Sequence, residues 1–338
     1  MKIKVGIIGF GSSGKFIHTG LLKAHDGYEI TAVASSRAKD VHKILPKAFV
    51  AKDFFEIVKR CDVDLVIVCT PNAEHFKHAA AALESGKHVV VEKPFVTKVD
   101  DGKKLIALAE KTKKVLTVFH NRRWDGDFLT VKKLIASGKL GEIKQFESHL
   151  DRWRPQARAD RWKEQNIQGA GTLFDLGPHY IDQMLCLFGK PDRVIADFAV
   201  QRDQTLGVDY FHLIAHYGNM RAILHSSYFT DVTPRFQIFG TDGNFLKYGV
   251  DPQEDQLKQN QSPRSPNFGI ENKNLYGTFI NPATAETETI KTEKGNFLKF
   301  YDLLHKKIVS GQGEAPISAE EALKVIEIIE ESVRVGYC

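Results

Sequence analysis

The sequence predicts an α/β protein: an N-terminal doubly wound parallel sheet followed by an α+β domain. Three observations carry this. Over roughly the first 120 residues, short buried-type apolar runs alternate with helical patterns, as in a parallel sheet covered on both faces. After Asn121, longer strands with apolar/polar alternation take over, which suits a largely antiparallel sheet with one exposed or partner-covered face. At 338 residues the chain exceeds one ordinary core. The expected domains are 1–120 and 121–338.

Ile3 to Ile8 is a nearly continuous apolar run and reads as the first buried strand. Ser13 to Lys23 fits a helix and Ile30 to Ala34 a second strand. Phe54 to Cys61 is helical, and Leu65 to Cys69 is a buried strand. His75 to Ser85 is an alanine-rich helix that Gly86 can end. His88 to Val91 is a strand, Gly102 to Lys111 a helix, and Val115 to Phe119 the last strand of this unit. A helix at Phe128 to Ala136 leads to strands at 143–149, 194–200, 211–217, 221–229 and 236–239. Residues 251–296, rich in Pro, Asn, Gln and Gly, read as long loops, and 297–309 and 319–333 as closing helices.

Bulk properties exclude several classes. The net charge of +5 is mild for this length and does not point to nucleic acid, though it suits an anionic small ligand. The most apolar runs are far too short to span a bilayer, and no signal peptide is expected, because Met1-Lys2-Ile3 enters the first strand directly. Cys61, Cys69, Cys186 and Cys338 are scattered without a C-x-x-C pair, so reduced thiols and a cytoplasmic location are expected, and no metal site is predicted.

Gly9-Phe10-Gly11-Ser12-Ser13-Gly14 is G-x-G-x-x-G, placed after a buried strand and opening a helix. Gly9 permits the tight turn, Gly11 lets the backbone approach a pyrophosphate, and Gly14 allows helix to pack on strand. Exposed N–H groups and the helix dipole then attract the phosphates. Where this fingerprint usually carries an acid for the ribose 2′-OH, the second strand ends Ala34-Ser35-Ser36-Arg37. Two hydroxyls and an arginine suit a 2′-phosphate, so NADP(H) is predicted over NAD(H). The competing readings leave Arg37 solvated, or stacked on adenine without selecting. Thr70-Pro71-Asn72 and His75 lie at the carboxyl end of the fourth strand, where ligands bind in such sheets. A turn in which Asn72 caps the helix is the alternative.

Together, Thr70-Pro71-Asn72 with His75, Glu92-Lys93-Pro94, and Asp175-Leu176-Gly177-Pro178-His179 resemble the family named for glucose-fructose oxidoreductase, inositol dehydrogenase and rhizopine catabolism protein. The resemblance covers essentially the whole chain. Gly11-Ser12-Ser13-Gly14-Lys15 and Phe119-His120-Asn121-Arg122-Arg123-Trp124-Asp125 look most like its NADP-dependent branch acting on scyllo-inositol. The resemblance implies a Rossmann domain, then a substrate-binding and oligomerisation domain with a large open mixed or antiparallel sheet. One face of that sheet commonly forms a subunit interface, so a homodimer or homotetramer is expected. It also implies that Lys93, Asp175 and His179 surround the reacting carbon, that Glu92 and Lys93 border the cofactor, and that the Lys93-Pro94 bond is cis.

These residue types fit alcohol oxidation. A hydride leaves for the nicotinamide and a proton leaves the hydroxyl. His179 is a base that titrates near neutrality. Lys93 can bind the reacting oxygen, or take the proton if burial lowers its pKa. Asp175 can bind a second hydroxyl or orient His179. Taken singly, His179 also reads as a helix-start residue and Asp175 as a cap. Pro178 leaves open whether the two share one helix face or meet through a turn.

Asn121 to Trp124, and Asp151-Arg152-Trp153-Arg154-Pro155 to Arg161-Trp162, interleave arginines with aromatics. Such stretches serve as single-stranded nucleic-acid platforms, as stacked solvated loops, or as a polyol pocket. The pocket reading assigns Asn121, Arg122, Trp153 and Arg154, with Asp175 and His179, to substrate. The expected function is NADP(H)-dependent hydride transfer to or from a secondary alcohol or ketone of a cyclic polyol or sugar, scyllo-inositol and its ketone first among them. The alternatives are a glycoside hydrolase that retains its nicotinamide, and a non-catalytic NADP sensor.

Overall fold

The computed structural model of the protein describes residues 2–158, 161–203, 205 and 207–336. It divides into two compact units. The first holds Met1–Asn121, Gln253–Phe268 and Asn296–Ile326; the second holds Arg122–Pro252, Gly269–Gly295 and Glu327–Cys338.

The first unit is built on six strands: β1 (Ile3–Ile8), β2 (Tyr28–Ala34), β3 (Phe49–Ala51), β4 (Leu65–Val68), β5 (His88–Glu92) and β6 (Leu116–Phe119). All neighbours pair in parallel, in the order β3-β2-β1-β4-β5-β6. Residues such as Val5, Ile7, Val66, Ile67, Val89 and Val90 have no exposure, as expected for strands covered on both faces. The order reverses between β1 and β4, and ligands bind such sheets outside the carboxyl ends at that point.

The single boundary expected at residue 120 does not describe this unit, because two later segments fold into it. Phe297, Phe300 and Tyr301 are fully buried there, and the Thr117 hydroxyl donates to the Ile317 carbonyl at 2.6 Å. Apolar and aromatic burial outweighs chain proximity here. The helix expected from Ser13 is also not uniform: Ser13–His18 is a π-helical turn that runs into an α-helix at Thr19–Ala24. Such turns are frequent at functional sites.

The second unit carries β7 (Ile143–His149), β8 (Arg193–Ala199), β9 (Tyr210–Tyr217), β10 (Met220–Ser226), β11 (Phe236–Gly240), β12 (Asn244–Lys247), β13 (Gly277–Ile280) and β14 (Thr287–Ile290). Their order is β14-β13-β12-β11-β7-β10-β9-β8. Only β7 and β10 run parallel, so the sheet is mixed. Phe146, Phe211, Leu213, Leu224, Phe236 and Ile238 line its buried face, while Ile195 on the opposite face is 42% exposed.

Residues 251–296 are not only loop: they supply β13, β14 and a short helix, Gln253–Lys258. β14 is Thr-Glu-Thr-Ile, mostly exposed at the sheet edge, so its sequence shows no apolar period. No helix among the described residues is long and apolar enough to cross a membrane. Cys61, Cys69 and Cys186 are in no disulfide, and Cys338 lies outside the described residues.

Candidate active site

The phosphate loop leaves β1 as its glycines require. Gly9 has φ +95°, and a Cβ there would stand 2.6 Å from the Cys69 carbonyl oxygen. A Cβ on Gly14 would stand 2.4 Å from the Gly9 carbonyl oxygen. A Cβ on Gly11 would meet nothing within 4 Å. Two glycines are thus demanded by packing, and the third faces space that a pyrophosphate can approach. Ser12 makes no side-chain capping bond at the helix start, while the Lys15 amide donates to the Gly11 carbonyl at 2.9 Å.

The loop is tied to the end of β5 through Glu92. The Ser13 hydroxyl donates to Glu92 Oε1, His18 Nε2 lies 3.0 Å from the same oxygen, and the Lys93 amide donates to Oε2 at 3.0 Å. Burial alone would raise the Glu92 carboxyl, but the bonds from His18 and Ser13 and the nearby Lys93 lower it to about 2. Glu92 is therefore a strut between loop and strand. The Lys93-Pro94 bond is cis, as the resemblance implied.

His75 is placed differently from the sequence expectation. Its ring is fully buried, with Nδ1 2.8 Å from the Pro94 carbonyl oxygen and Nε2 3.0 Å from that of Thr70. Burial lowers its pKa despite both contacts. Both ring nitrogens thus face backbone, and His75 braces the Lys93-Pro94 segment rather than presenting a face to a ligand. Asn72 is 7% exposed in a short turn, and the Thr70 hydroxyl pairs with His78 Nδ1 at 3.0 Å.

Beyond β2, a cavity of about 420 Å³ is bordered by Phe10, Ser35, Ser36, Arg37, Lys52 and Thr70, among others. The Arg37 guanidinium donates to the Phe10 carbonyl at 2.5 Å, which holds it against the phosphate loop. Lys52 and Lys77 also line this space, and sequence reasoning missed both. Lys52 follows the three-residue β3, and that strand is too short to announce itself. Asp53, the carboxylate beside it, accepts from the Phe55 amide as a helix cap. Cavity, glycine-rich loop and cations together could hold a dinucleotide.

In the second unit, Asp175 ends a short helix, Gly171–Asp175, and the next helix, Gly177–Phe188, begins with Pro178 in its first turn. Asp175 and His179 thus lie on different helices, and Asp175 caps neither. Lys163 Nζ donates to Asp175 Oδ1 at 2.6 Å, a pairing hidden in sequence by the 12-residue gap. His179 is 5% exposed.

The arginines divide. Arg122, assigned above to substrate, is 7% exposed, and its guanidinium donates to Asp125 at 2.9 Å. Arg123 grips Asp182 in bidentate fashion at 2.9 and 2.7 Å. Both are engaged in internal ion pairs. Asn121 is buried at the end of the first unit. Trp153 is 63% exposed and bridges to Phe229, and the Arg154 amide donates to the Tyr228 carbonyl.

A family model described as "Oxidoreductase family, NAD-binding Rossmann fold" matches residues 3–120, and one described as "Oxidoreductase family, C-terminal alpha/beta domain" matches 132–334. The chain belongs to the Gfo/Idh/MocA oxidoreductase family. Within it, the scyllo-inositol 2-dehydrogenase (NADP(+)) IolW of Bacillus subtilis is 42% identical over 331 residues, covering 97% of this chain and 92% of that one. The oxidoreductase YdgJ of Escherichia coli is 40% identical, covering 97% and 94%. Among solved structures, the oxidoreductase yvaA from Bacillus subtilis superposes with a TM-score of 0.95 at 40% identity, covering 99% of this chain and 96% of that one. The Rossmann order of the first sheet and the mixed eight-stranded second sheet agree with that likeness.

Proposed function

We propose that this oxidoreductase interconverts a secondary alcohol and a ketone on a cyclic polyol, scyllo-inositol and its inosose, with NADP(H). The observation that carries this reading is the 42% identity to an NADP-dependent scyllo-inositol 2-dehydrogenase across almost the full length of both chains. Bound nicotinamide supplies hydride exchange. The phosphate loop from Gly9 to Gly14, with Phe10, Ser12 and Ser13, holds the pyrophosphate through its backbone amides. Ser35, Ser36 and Arg37, now joined by Lys52, take the 2′-phosphate. Thr70, Pro71, Asn72, Glu92 and Lys93 border the nicotinamide half. Lys93, Asp175 and His179 form the proposed catalytic set. His179 accepts the hydroxyl proton, Lys93 donates to the oxygen as negative charge develops on it, and Asp175 with Lys163 fixes a neighbouring hydroxyl. Asn121, Trp153 and Arg154 contact the remaining ring. A homo-oligomer formed through the open sheet face completes the reading; a solution mass of one 38.0 kDa chain counts against it.

The test follows nicotinamide absorbance with NADP or NAD and a panel of inositols, aldoses and polyols. Reduction of NADP with scyllo-inositol, and much slower reduction of NAD, is expected. Turnover only with an aldose overturns the substrate, and faster NAD turnover overturns the cofactor. Lys93→Met retains cofactor affinity and loses turnover; equal turnover removes Lys93 from the set.

A further inference from the structure

Four chemically active side chains stand abreast on the open face of the second sheet. His149 of β7 pairs opposite His225 of β10, His225 opposite His212 of β9, and His212 opposite Asp197 of β8. Residues paired across neighbouring strands project from the same face, so the three imidazoles form a row. Asp151, two residues beyond His149, turns back into it.

Asp151 Oδ1 lies 3.0 Å from His225 Nδ1, and Oδ2 lies 3.4 Å from His149 Nδ1. One ligand-type atom from each of His149, Asp151 and His225 lies within 4.8 Å of the others. A tetrahedral ion with bonds of 2.0–2.2 Å sets its ligand atoms roughly 3.4 Å apart; Asp151 reaches His149 at 3.4 Å and His225 at 3.0 Å through different oxygens, so a small shift of the carboxylate would seat one ion between the three side chains.

The surroundings call for a cation beside Asp151, either a metal ion or a second proton on His149. His149 is 10% exposed at its side chain, and its Nδ1 is buried with no hydrogen bond. Its other nitrogen, Nε2, lies 3.0 Å from Glu147 Oε2, which also accepts from the Gln237 amide at 3.0 Å. A carboxylate on the far nitrogen is the usual support of a metal-binding histidine, because it fixes the proton there. With the proton on Nε2, the Nδ1 lone pair faces the Asp151 carboxylate, and two lone pairs repel unless a cation lies between them. Asp151 is itself held in place: it accepts from the Ser227 amide at 2.8 Å and the Thr233 hydroxyl at 2.5 Å, and its side chain is 1% exposed.

We infer that His149 Nδ1, His225 Nδ1 and the Asp151 carboxylate form a site for a divalent transition-metal ion of the zinc type, with Glu147 orienting His149. Two imidazoles and one carboxylate suit zinc and leave one position for a further ligand. The site is independent of the proposed polyol chemistry: none of its residues belongs to the proposed catalytic or cofactor set. Its rival is a second proton on His149, which would satisfy Nδ1 without any ion.

The experiment uses tag-free full-length protein, stripped with a chelator, loaded with zinc, freed of excess ion and assayed for bound metal. About one zinc per chain is expected, lost in His149→Ala and in His225→Gln. Glu147→Gln should weaken zinc roughly 10–100-fold. Cobalt on the unmodified protein supplies a second readout that needs no variant: intense visible bands signal a tetrahedral site. Should His149→Ala fail to fold, His225→Gln and the cobalt spectrum decide. Zinc retained equally by both variants, or no retained zinc and no cobalt bands in the unmodified protein, overturns the site in favour of the proton. Oxidoreductase turnover is followed in parallel, and its presence or absence does not bear on the metal.

Discussion

Replacing Glu92 by glutamine removes one negative charge and keeps nearly the same shape. In the folded protein this carboxyl sits at about 2 against an ordinary 4.5: burial opposes its charge, and His18, Ser13 and Lys93 overcome that opposition. A carboxyl lowered by folding adds stability that is complete above its unfolded value and is lost as pH falls through the folded one. The window here is therefore 4.5 down to about 2. The depression corresponds to roughly 3 kcal/mol at neutral pH. About 2 kcal/mol of that is lost between about pH 5 and about pH 3. Glu92→Gln lacks this increment, so its stability should fall less over the same interval. Denaturant unfolding followed by far-UV circular dichroism measures it. Tryptophan fluorescence is unsuitable, because Trp124, Trp153 and Trp162 are the only tryptophans and all belong to the second unit. Equal losses in the variant and the unmodified protein would show that Glu92 is not the strut described above.

Gly14→Ala should weaken cofactor binding at least tenfold and lower stability, since its Cβ lands 2.4 Å from a backbone oxygen that cannot swing away; fluorescence titration with NADPH checks it. Arg37→Ala and Lys52→Ala should each raise the KM for NADP roughly ten- to hundredfold, the worth of a hydrogen bond to a charged group, with little change for NAD. Equal shifts for both cofactors would remove these residues from 2′-phosphate recognition. Lys163→Met should lower kcat/KM through Asp175 while leaving the unfolding midpoint nearly unchanged, and Lys163→Arg should restore much of it. Phe146→Ala should cost about 3–5 kcal/mol of stability, as expected for an aromatic with no exposure in a sheet core.

What could be read from sequence follows from what leaves a periodic trace. β4 is apolar throughout, and β1 and β5 nearly so, because both faces are covered, and the glycine spacing reports a backbone requirement that side chains cannot mimic. β3, with three residues, and β14, polar at an edge, leave no such trace. Nor do pairings across long gaps: Arg37 on the Phe10 carbonyl, Lys163 on Asp175, and His149 beside His225 are set by register and loop path. The return of residues 296–326 to the first unit is of the same kind, since a helix pattern states which face is apolar and not which core it joins.

Sequence alone could not say what the arginine-rich stretches do, because ion pairing within the fold is invisible there. A nucleic-acid platform needs cations aimed outward along a surface. Arg122 and Arg123 instead point into carboxylates contributed by Asp125 and Asp182, and Arg202 does the same with Asp209 at 2.9 Å. Arg235, 2% exposed, donates to the Ser148 hydroxyl and to Gln183. Each such pair removes a positive charge from the surface total and returns rigidity to the loops and helices around the Asp175 and His179 segment. Breaking one partner would leave a buried uncompensated charge, an expense of about 3–5 kcal/mol. Removing Asp182 should therefore act on the stability of the second unit before it acts on substrate affinity.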